Sequence, residues 1–494
     1  MRTFPMSASC GLAAACTAFL LLSGARTADG QEMKRVITLR QAVDMAQRQG
    51  LQARAAASGR EAARRRDRAF DARRLPQLAL GGNLPVYNRS IIPVVQPDGS
   101  TLFRPQQQTD ASLNLQVSQR LPFTGGDLFM SSSLARLEVS GQRDLRNWSS
   151  TPLALGIRQD ILRPNGFKWE GREQNLRADV AERLYLEARE EVAINTSNAF
   201  FDLYSARVAL ANATTNAAVN DTLYTLNKGR FEVGKIGEND LLQSELALLR
   251  SRGQADGARV ERDRAEAALK RLTGLTGPER LAVLPPAQTA PVNVDAELAV
   301  QQARKNASTV EEGELETVRA GRQLSDAKAS NRIGAAVTAE VGYNQTATDF
   351  SAAYQSPLSE QRARVAVEMP IVQWGAGRAE VQAARAEQAR TVTTARARRE
   401  QLEEDARFGA LQLMQTQRML AISAKADTVA QKRFEVAKNR YVIGKIGISD
   451  LYIAQNEKDQ AVVQYIQALS GYWAAHYRLR RVTLYDFAAG REIR

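Results

Sequence analysis

Very few residues in this chain have the types and spacing that catalysis requires. His476 is the only histidine, and Cys10 and Cys16 are the only cysteines among 494 residues. Both cysteines fall in an N-terminal stretch with the marks of an export signal, so a processed chain carries no thiol. Disulfides, thiolate nucleophiles and cysteine-bearing zinc sites are then excluded. One histidine argues against a Ser-His-Asp centre, and His476 sits in a helical run beside Trp473 and Tyr477, where packing is its expected role. Gly375-Ala376-Gly377 has neither a dinucleotide fingerprint nor the Lys-Ser/Thr ending of a phosphate loop, and reads as a strand-to-helix bend. No nucleophile–base pair, metal cluster or cofactor motif appears, so the chain reads as a non-enzyme without cofactor or metal.

What the spacing does offer is recognition chemistry, stated twice. Arg230-Phe231-Glu232-Val233-Gly234-Lys235-Ile236-Gly237 precedes Glu238-Asn239-Asp240-Leu241, and Arg440-Tyr441-Val442-Ile443-Gly444-Lys445-Ile446-Gly447 precedes Ile448-Ser449-Asp450-Leu451. The two strings lie 210 residues apart without a gap. A glycine after a long helical run supplies the left-handed residue that ends a helix. A second glycine three residues later can cap the next helix, with aspartate near its positive end. Each string therefore reads as helix, tight turn, helix, and the shared pattern reads as an internal duplication.

The elements that carry these tips are long. Residues 38–75 read as a helix with Thr38 as N-cap and Pro76 as its end. Composition then shifts to Gly, Pro, Ser, Asn and Gln, and segments within 77–163 alternate apolar and polar residues, as strands with one greasy and one wet face do. Leu113, Leu115 and Val117, then Leu153, Leu155, Ile157 and Ile161, mark the clearest of them. Residues 168–233 contain no proline and predict a helix of roughly 100 Å. A helix follows over 238–274, then a Pro-rich linker over 276–295. The order repeats: helix 296–332, alternating strands within 335–372, long helix 378–443, tip, helix 448–481. The domain reading is thus a signal peptide at 1–28, a first repeat at 29–275 with its tip at 233–238, a linker, a second repeat at 296–481 with its tip at 443–448, and a tail at 482–494.

Arg2, the apolar run from Gly11 to Leu22, and the small residues Ser23-Gly24-Ala25 and Ala28 predict export. No later segment has eighteen consecutive apolar residues, so any membrane crossing must use strands. The net charge of +13 would suit nucleic acid, but no recognition motif accompanies it and an exported chain rarely meets that partner. The cluster holding Arg64, Arg65 and Arg66 directly precedes the first strands, and reads either as a solvated helix face or as a lipid-headgroup contact. Four to six strands are too few to close a barrel from one chain, since the smallest need about eight. Long helices with apolar seams also want partners. The physical expectation is an oligomeric pore, part strand and part helix, with the tips far from the membrane. The alternative is a non-channel coiled-coil surface protein, an adhesin or scaffold.

Ile37-Thr38-Leu39-Arg40-Gln41-Ala42-Val43, Val367-Glu368-Met369-Pro370-Ile371-Val372-Gln373-Trp374-Gly375, both tips, and Tyr477-Arg478-Leu479-Arg480-Arg481-Val482-Thr483-Leu484-Tyr485-Asp486-Phe487 together resemble the TolC family of outer-membrane efflux proteins. The resemblance covers nearly the whole mature chain. It implies a predominantly helical α+β membrane protein, a homotrimer sharing one β-barrel in the outer membrane, continued by an α-helical barrel across the periplasm. It also implies a periplasmic adaptor protein docked at the tips, and an inner-membrane pump behind it. On that resemblance Val233, Gly234, Lys235, Ile236 and Gly237, with Ile443, Gly444, Lys445, Ile446 and Gly447, face the adaptor. Asp240 and Tyr441 match a pair that holds neighbouring hairpins shut, and Asp450 matches an aspartate lining the entrance; Ile453 stands where a second acidic residue is expected. The strand-like stretch at 111–139 exceeds two strands per repeat, and can be an added barrel hairpin, an external loop or a plug.

Overall fold

The computed structural model describes residues 34–140, 144–286 and 292–494; the expected signal peptide lies outside them. Strand β1 (Lys34–Thr38) leads into helices α1 (Leu39–Gln49) and α2 (Leu51–Ala72), separated at Gly50. Thr38 caps α1 in a reciprocal pair with Gln41, which satisfies two otherwise orphaned backbone donors. The single helix expected over 38–75 is therefore two. At the break, the Gln49 amide donates to the Thr273 carbonyl at 3.0 Å.

Four strands follow: β2 (Gln77–Val95), β3 (Thr101–Arg120), β4 (Asp127–Ser140) and β5 (Leu145–Asp160). Next come α3 (Gly166–Glu232) and α4 (Glu238–Thr273), the strand β6 (Arg280–Leu284), and helices α5 (Ala296–Asn306) and α6 (Ser308–Ser330). Strands β7 (Gly334–Ala347) and β8 (Leu358–Glu368) precede α7 (Ala376–Val442) and α8 (Ile448–Thr483), and a short hairpin, β9 (Tyr485–Asp486) with β10 (Arg491–Glu492), ends the chain.

The duplication is metrically regular. α3 and α7 are each 67 residues long, and α4 and α8 are each 36. At ~1.5 Å per residue a 67-residue helix runs roughly 100 Å. In each repeat a shorter helix stacks on the one returning from the tip, and a side-chain amide closes the joint. Gln49 does this where α1 meets α4, and Asn306, donating to the Thr483 carbonyl at 3.2 Å, does it where α5 meets α8.

The main core sits midway along the long helices, where chain segments from both repeats converge. Phe200, Phe201 and Leu203 of α3, Leu413 of α7, and Leu469, Tyr472 and Leu479 of α8 pack there against Leu39, Ala42 and Val43 of α1. β1 and β6 pair in parallel beside them, burying Ile37, Leu281 and Val283. Neither strand was legible as such: five residues are too few to show a period, and β6 lies within the stretch read as a linker. The tail is structured too. Phe487 packs on this core, and Asp486 accepts from Arg480 at 2.7 Å.

His476 is among the buried groups of α8, edge-on to Trp473 and Tyr477 at ring-centroid distances of 5.6 and 5.3 Å. Burial, with a smaller contribution from the Arg480 charge, pushes its pKa down to about 4, against the opposing pull of Asp486. The folded value lies below the unfolded one, so the unfolded chain binds more protons between pH 6.5 and 4. Stability is present above that window and is lost as pH falls through it, by about 3 kcal/mol in all. Thermal melts at pH 7.5 and pH 4.5 should show His476→Phe losing less stability on acidification than the parent; equal losses would refute this linkage.

Candidate functional site

The two tips share one backbone solution. Gly234 and Gly444 have φ of +68° and +73°, in the left-handed region that a side chain resists. Lys235 N–H donates to the Arg230 carbonyl at 2.8 Å and Gly234 N–H to that of Phe231 at 2.9 Å; Lys445 and Gly444 repeat both bonds on Arg440 and Tyr441. This is the Schellman ending, which satisfies helix-terminal carbonyls. Gly237 and Gly447 then stand at the N-caps of α4 and α8. The turn points apolar side chains outward: Val233 is 67% and Ile443 64% exposed. Lys235 and Lys445 are exposed beside them, and Ile236 and Ile446 are half-buried.

Just inside the tips, α3 meets the α7–α8 hairpin around Leu223, Tyr441, Ile448 and Leu451, which form a small buried cluster. The Tyr441 hydroxyl donates to Asn227 Oδ1 of α3 at 3.0 Å, and the Arg230 guanidinium lies 5.6 Å above its ring. The hydroxyl's partner is thus Asn227 rather than the expected Asp240, because Asn227 faces the neighbouring hairpin from within α3 whereas Asp240 lies in the first turn of α4. Asp240 is half-buried and Asp450 is exposed in the first turn of α8.

Asn227 belongs to a polar seam that sequence reading did not single out. Asn216, Asn220 and Asn227 are all buried on α3, with Gln455 on α8. Asn216 donates to Asp459 at 2.7 Å. Several seam atoms have no hydrogen-bond partner among the described residues: Asn220 Oδ1, Asn227 Nδ2, Gln455 Oε1 and the Tyr452 hydroxyl. Burial drives the Tyr452 pKa up to about 12. Each unmatched buried group costs roughly 1–3 kcal/mol, so this contact is weaker than its area suggests. Three asparagines spaced four and seven apart in an Ala-rich helix were the available signal.

At the other end, β2-β3-β4-β5-β7-β8 form one antiparallel sheet with β2 and β8 at its edges. Register gives it two unlike faces. Leu78, Val117, Met130, Leu155 and Val341 stand directly opposite one another across five strands. Leu80, Leu115, Ile157 and Val365 share that face and are exposed. The other face carries Gln116, Ser131, Arg158, Glu340 and Arg362, with Arg362 paired to Glu340 and Glu360. Exposed aromatics flank the helix end of the sheet, Phe123 at 95% and Trp374 at 97%. Trp148, Phe350 and Tyr354 cluster at the far end.

In the half that carries the tips, α3 and α8 lie side by side. α4 and α7 are the outer members beside α3 and α8. Leu242 and Leu249 on α4, and Phe408, Ile422, Val429 and Val436 on α7, recur at multiples of seven residues and are exposed. That is the spacing of a coiled-coil seam without its partner. Arg64, Arg65 and Arg66 of the basic cluster on α2 are all exposed; Arg64 pairs with Glu182 at 3.0 Å and Arg65 with Glu61 at 2.6 Å. Among the described residues no group of His, Cys, Asp and Glu could hold a metal ion, and no helix is long and apolar enough to cross a membrane.

No family model and no curated protein sequence matches the chain. Solved structures do. The CmeC outer membrane channel of Campylobacter jejuni is similar over 92% of this chain and 86% of its own, with a TM-score of 0.65 at 16% identity. The outer membrane protein VceC of Vibrio cholerae matches over 92% and 97%, with a TM-score of 0.62 at 14% identity. The MtrE outer membrane channel of Neisseria gonorrhoeae, in its open state, matches over 92% and 90%, also with a TM-score of 0.62 at 14% identity. The chain has the fold of these channels.

Proposed function

We propose that this protein is the outer-membrane channel of a tripartite efflux or secretion system: a passive homotrimeric duct that extends into the periplasm. The observation that carries the reading is the two-faced sheet. A contiguous apolar band this exposed is foreign to a water-soluble surface, and apolar-out, polar-in alternation with aromatic girdles is how a strand wall meets lipid. Six strands per chain cannot close alone, and the exposed heptad rows on α4 and α7 supply helical edges for neighbouring copies. The described fold likeness to outer membrane channels supports the same conclusion.

In this reading the Arg64–Arg66 face lies below the membrane, where its exposed guanidinium groups can meet lipid headgroups. The tips are the inner entrance. Val233, Ile443 and the paired lysines form a docking surface for a periplasmic adaptor, behind which an inner-membrane pump supplies cargo. Purified protein in planar bilayers should produce discrete ion-conductance steps, with three copies per particle by native mass spectrometry. A soluble, non-conducting species would overturn the channel in favour of a coiled-coil scaffold.

The docking assignment has its own test. Proline cannot adopt the positive φ of Gly234 or Gly444. Gly234→Pro and Gly444→Pro should abolish co-purification with the adaptor while trimers persist; loss of trimers instead would make these glycines structural.

A further inference from the structure

The first repeat contributes four strands to the six-stranded sheet and the second only two. We propose that the surplus hairpin, β3–β4, is a lipid-facing part of the barrel wall, so that the three-copy assembly closes with eighteen strands, six from each copy. This rests on the channel reading above and deepens it.

Three observations carry it. First, the hairpin is hydrogen-bonded on both sides rather than folded over the sheet. β3 pairs with β2 from Gln77↔Ser118 to Val95↔Thr101, and β4 pairs with β5 from Asp127↔Arg158 to Val139↔Leu145. A plug or an external loop would leave β2 and β5 to find each other. Here the hairpin separates them.

Second, its polarity is in phase with its neighbours. Val117 and Met130 continue the apolar row that runs from Leu78 to Leu155 and Val341, while Asn114, Gln116, Ser131 and Ser133 continue the polar face. A one-residue slip would reverse both faces. A hairpin meant for water on both sides has no reason to keep that phase. On the polar face the Phe129 ring lies over Gly156 of β5, where any β-carbon would meet ring atoms at 2.3 Å, so β4 is interlocked with the strand beside it.

Third, its helix-side turn is built into the base of the sheet. Asn165 caps α3 by accepting from Lys168 N–H at 3.0 Å, and its amide nitrogen donates to the carbonyls of Pro122 and Phe123 at 2.9 and 3.2 Å. One side chain therefore fixes both the start of the 67-residue helix and the turn of the hairpin.

Strand direction agrees with closure by copies of this chain. In an antiparallel sheet of six, β2 and β8 run in opposite senses, so β8 of one copy meets β2 of the next in antiparallel pairing. With strands ~4.8 Å apart and tilted about 40°, eighteen strands enclose a backbone cylinder roughly 36 Å across, about half as wide again as two strands per repeat would give. The added wall presents amides and hydroxyls to the lumen and no charge over 112–118 and 129–135. The conduit is then broader, with an uncharged polar stretch between the charged positions of β5, β7 and β8.

The test uses single cysteines in the full chain, reconstituted in vesicles containing brominated-acyl phospholipid. An environment-sensitive fluorophore goes at Leu115→Cys, Met130→Cys and Val341→Cys on the apolar face, and at Gln116→Cys and Ser131→Cys on the polar face. The expected result is loss of fluorescence at all three apolar-face positions, with the two polar-face positions unquenched and open to a charged thiol reagent. Quenching at Val341→Cys but not at Leu115→Cys and Met130→Cys would overturn the hairpin's place in the wall and leave the channel standing. No quenching at Val341→Cys would overturn both.

Discussion

The substitution Tyr441→Phe raises single-channel conductance in planar bilayers and lengthens open dwell times. The Tyr441 hydroxyl and Asn227 make a direct buried hydrogen bond between the two hairpins near the tips, at 3.0 Å. Removing the hydroxyl alone leaves the Asn227 amide, 1% exposed and already unpaired at Nδ2, without any described partner. A group abandoned in that way costs roughly 1–3 kcal/mol, and every 1.4 kcal/mol is about ten-fold in an equilibrium. In the proposed homotrimer three protomers would multiply the bias. The surrounding seam favours separation further, because water entering between the hairpins would satisfy Asn220, Gln455 and Tyr452 as well. Opening is then a shift between two packings rather than a bending of one. Asp240→Ala is the informative control: without the hydroxyl of Tyr441 as its partner, it should change conductance less than Tyr441→Phe. Unchanged conductance in Tyr441→Phe would refute the latch.

Arg480→Leu is expected to prevent accumulation of folded protein at ordinary growth temperature. Arg480 reaches Glu190 of α3 through two bonds, at 2.9 and 3.1 Å, and Asp486 of the tail through a third at 2.7 Å. Glu190 is 2% exposed. Breaking a buried pair from one side strands the other charge and costs about 3–5 kcal/mol, a large share of the stability of a typical fold. The effect is amplified by position, since this ion triad joins the first repeat, the second repeat and the chain end at the mid-helix core. Arg480→Lys should rescue only in part, because an ammonium cannot match two carboxylate oxygens at once. Glu190→Leu combined with Arg480→Leu should recover much of the loss, and the fraction of protein resisting limited proteolysis reads all three variants against the parent. A single Arg480→Leu as stable as the parent would show that the core does not depend on the triad.

Legibility varied with the range of the interaction involved. The tips, the long helices and their duplication were readable because they are local: a glycine that must take a positive φ and a run without proline leave marks at the residue itself. The alternating strands were readable for the same reason, down to the faces of Leu113, Leu115 and Val117. The five-residue β1 and β6 were not, since their pairing joins positions about 250 residues apart and neither strand has room for a period. Gly50 hid the α1–α2 break because a lone glycine is compatible with a continuing helix.

The sequence by itself therefore determined the element order, the two-fold repeat, the polarity of the strands and the poverty of catalytic groups. Each of these follows from backbone preference and side-chain period along the chain. Only the tertiary structure decided that 111–139 is a hairpin paired within the sheet, that Tyr441 finds Asn227 across the hairpins, and that Arg480 ties both repeats to the tail. Those are choices among partners far apart in sequence, and they are settled by which groups can reach one another and leave the fewest polar atoms buried alone.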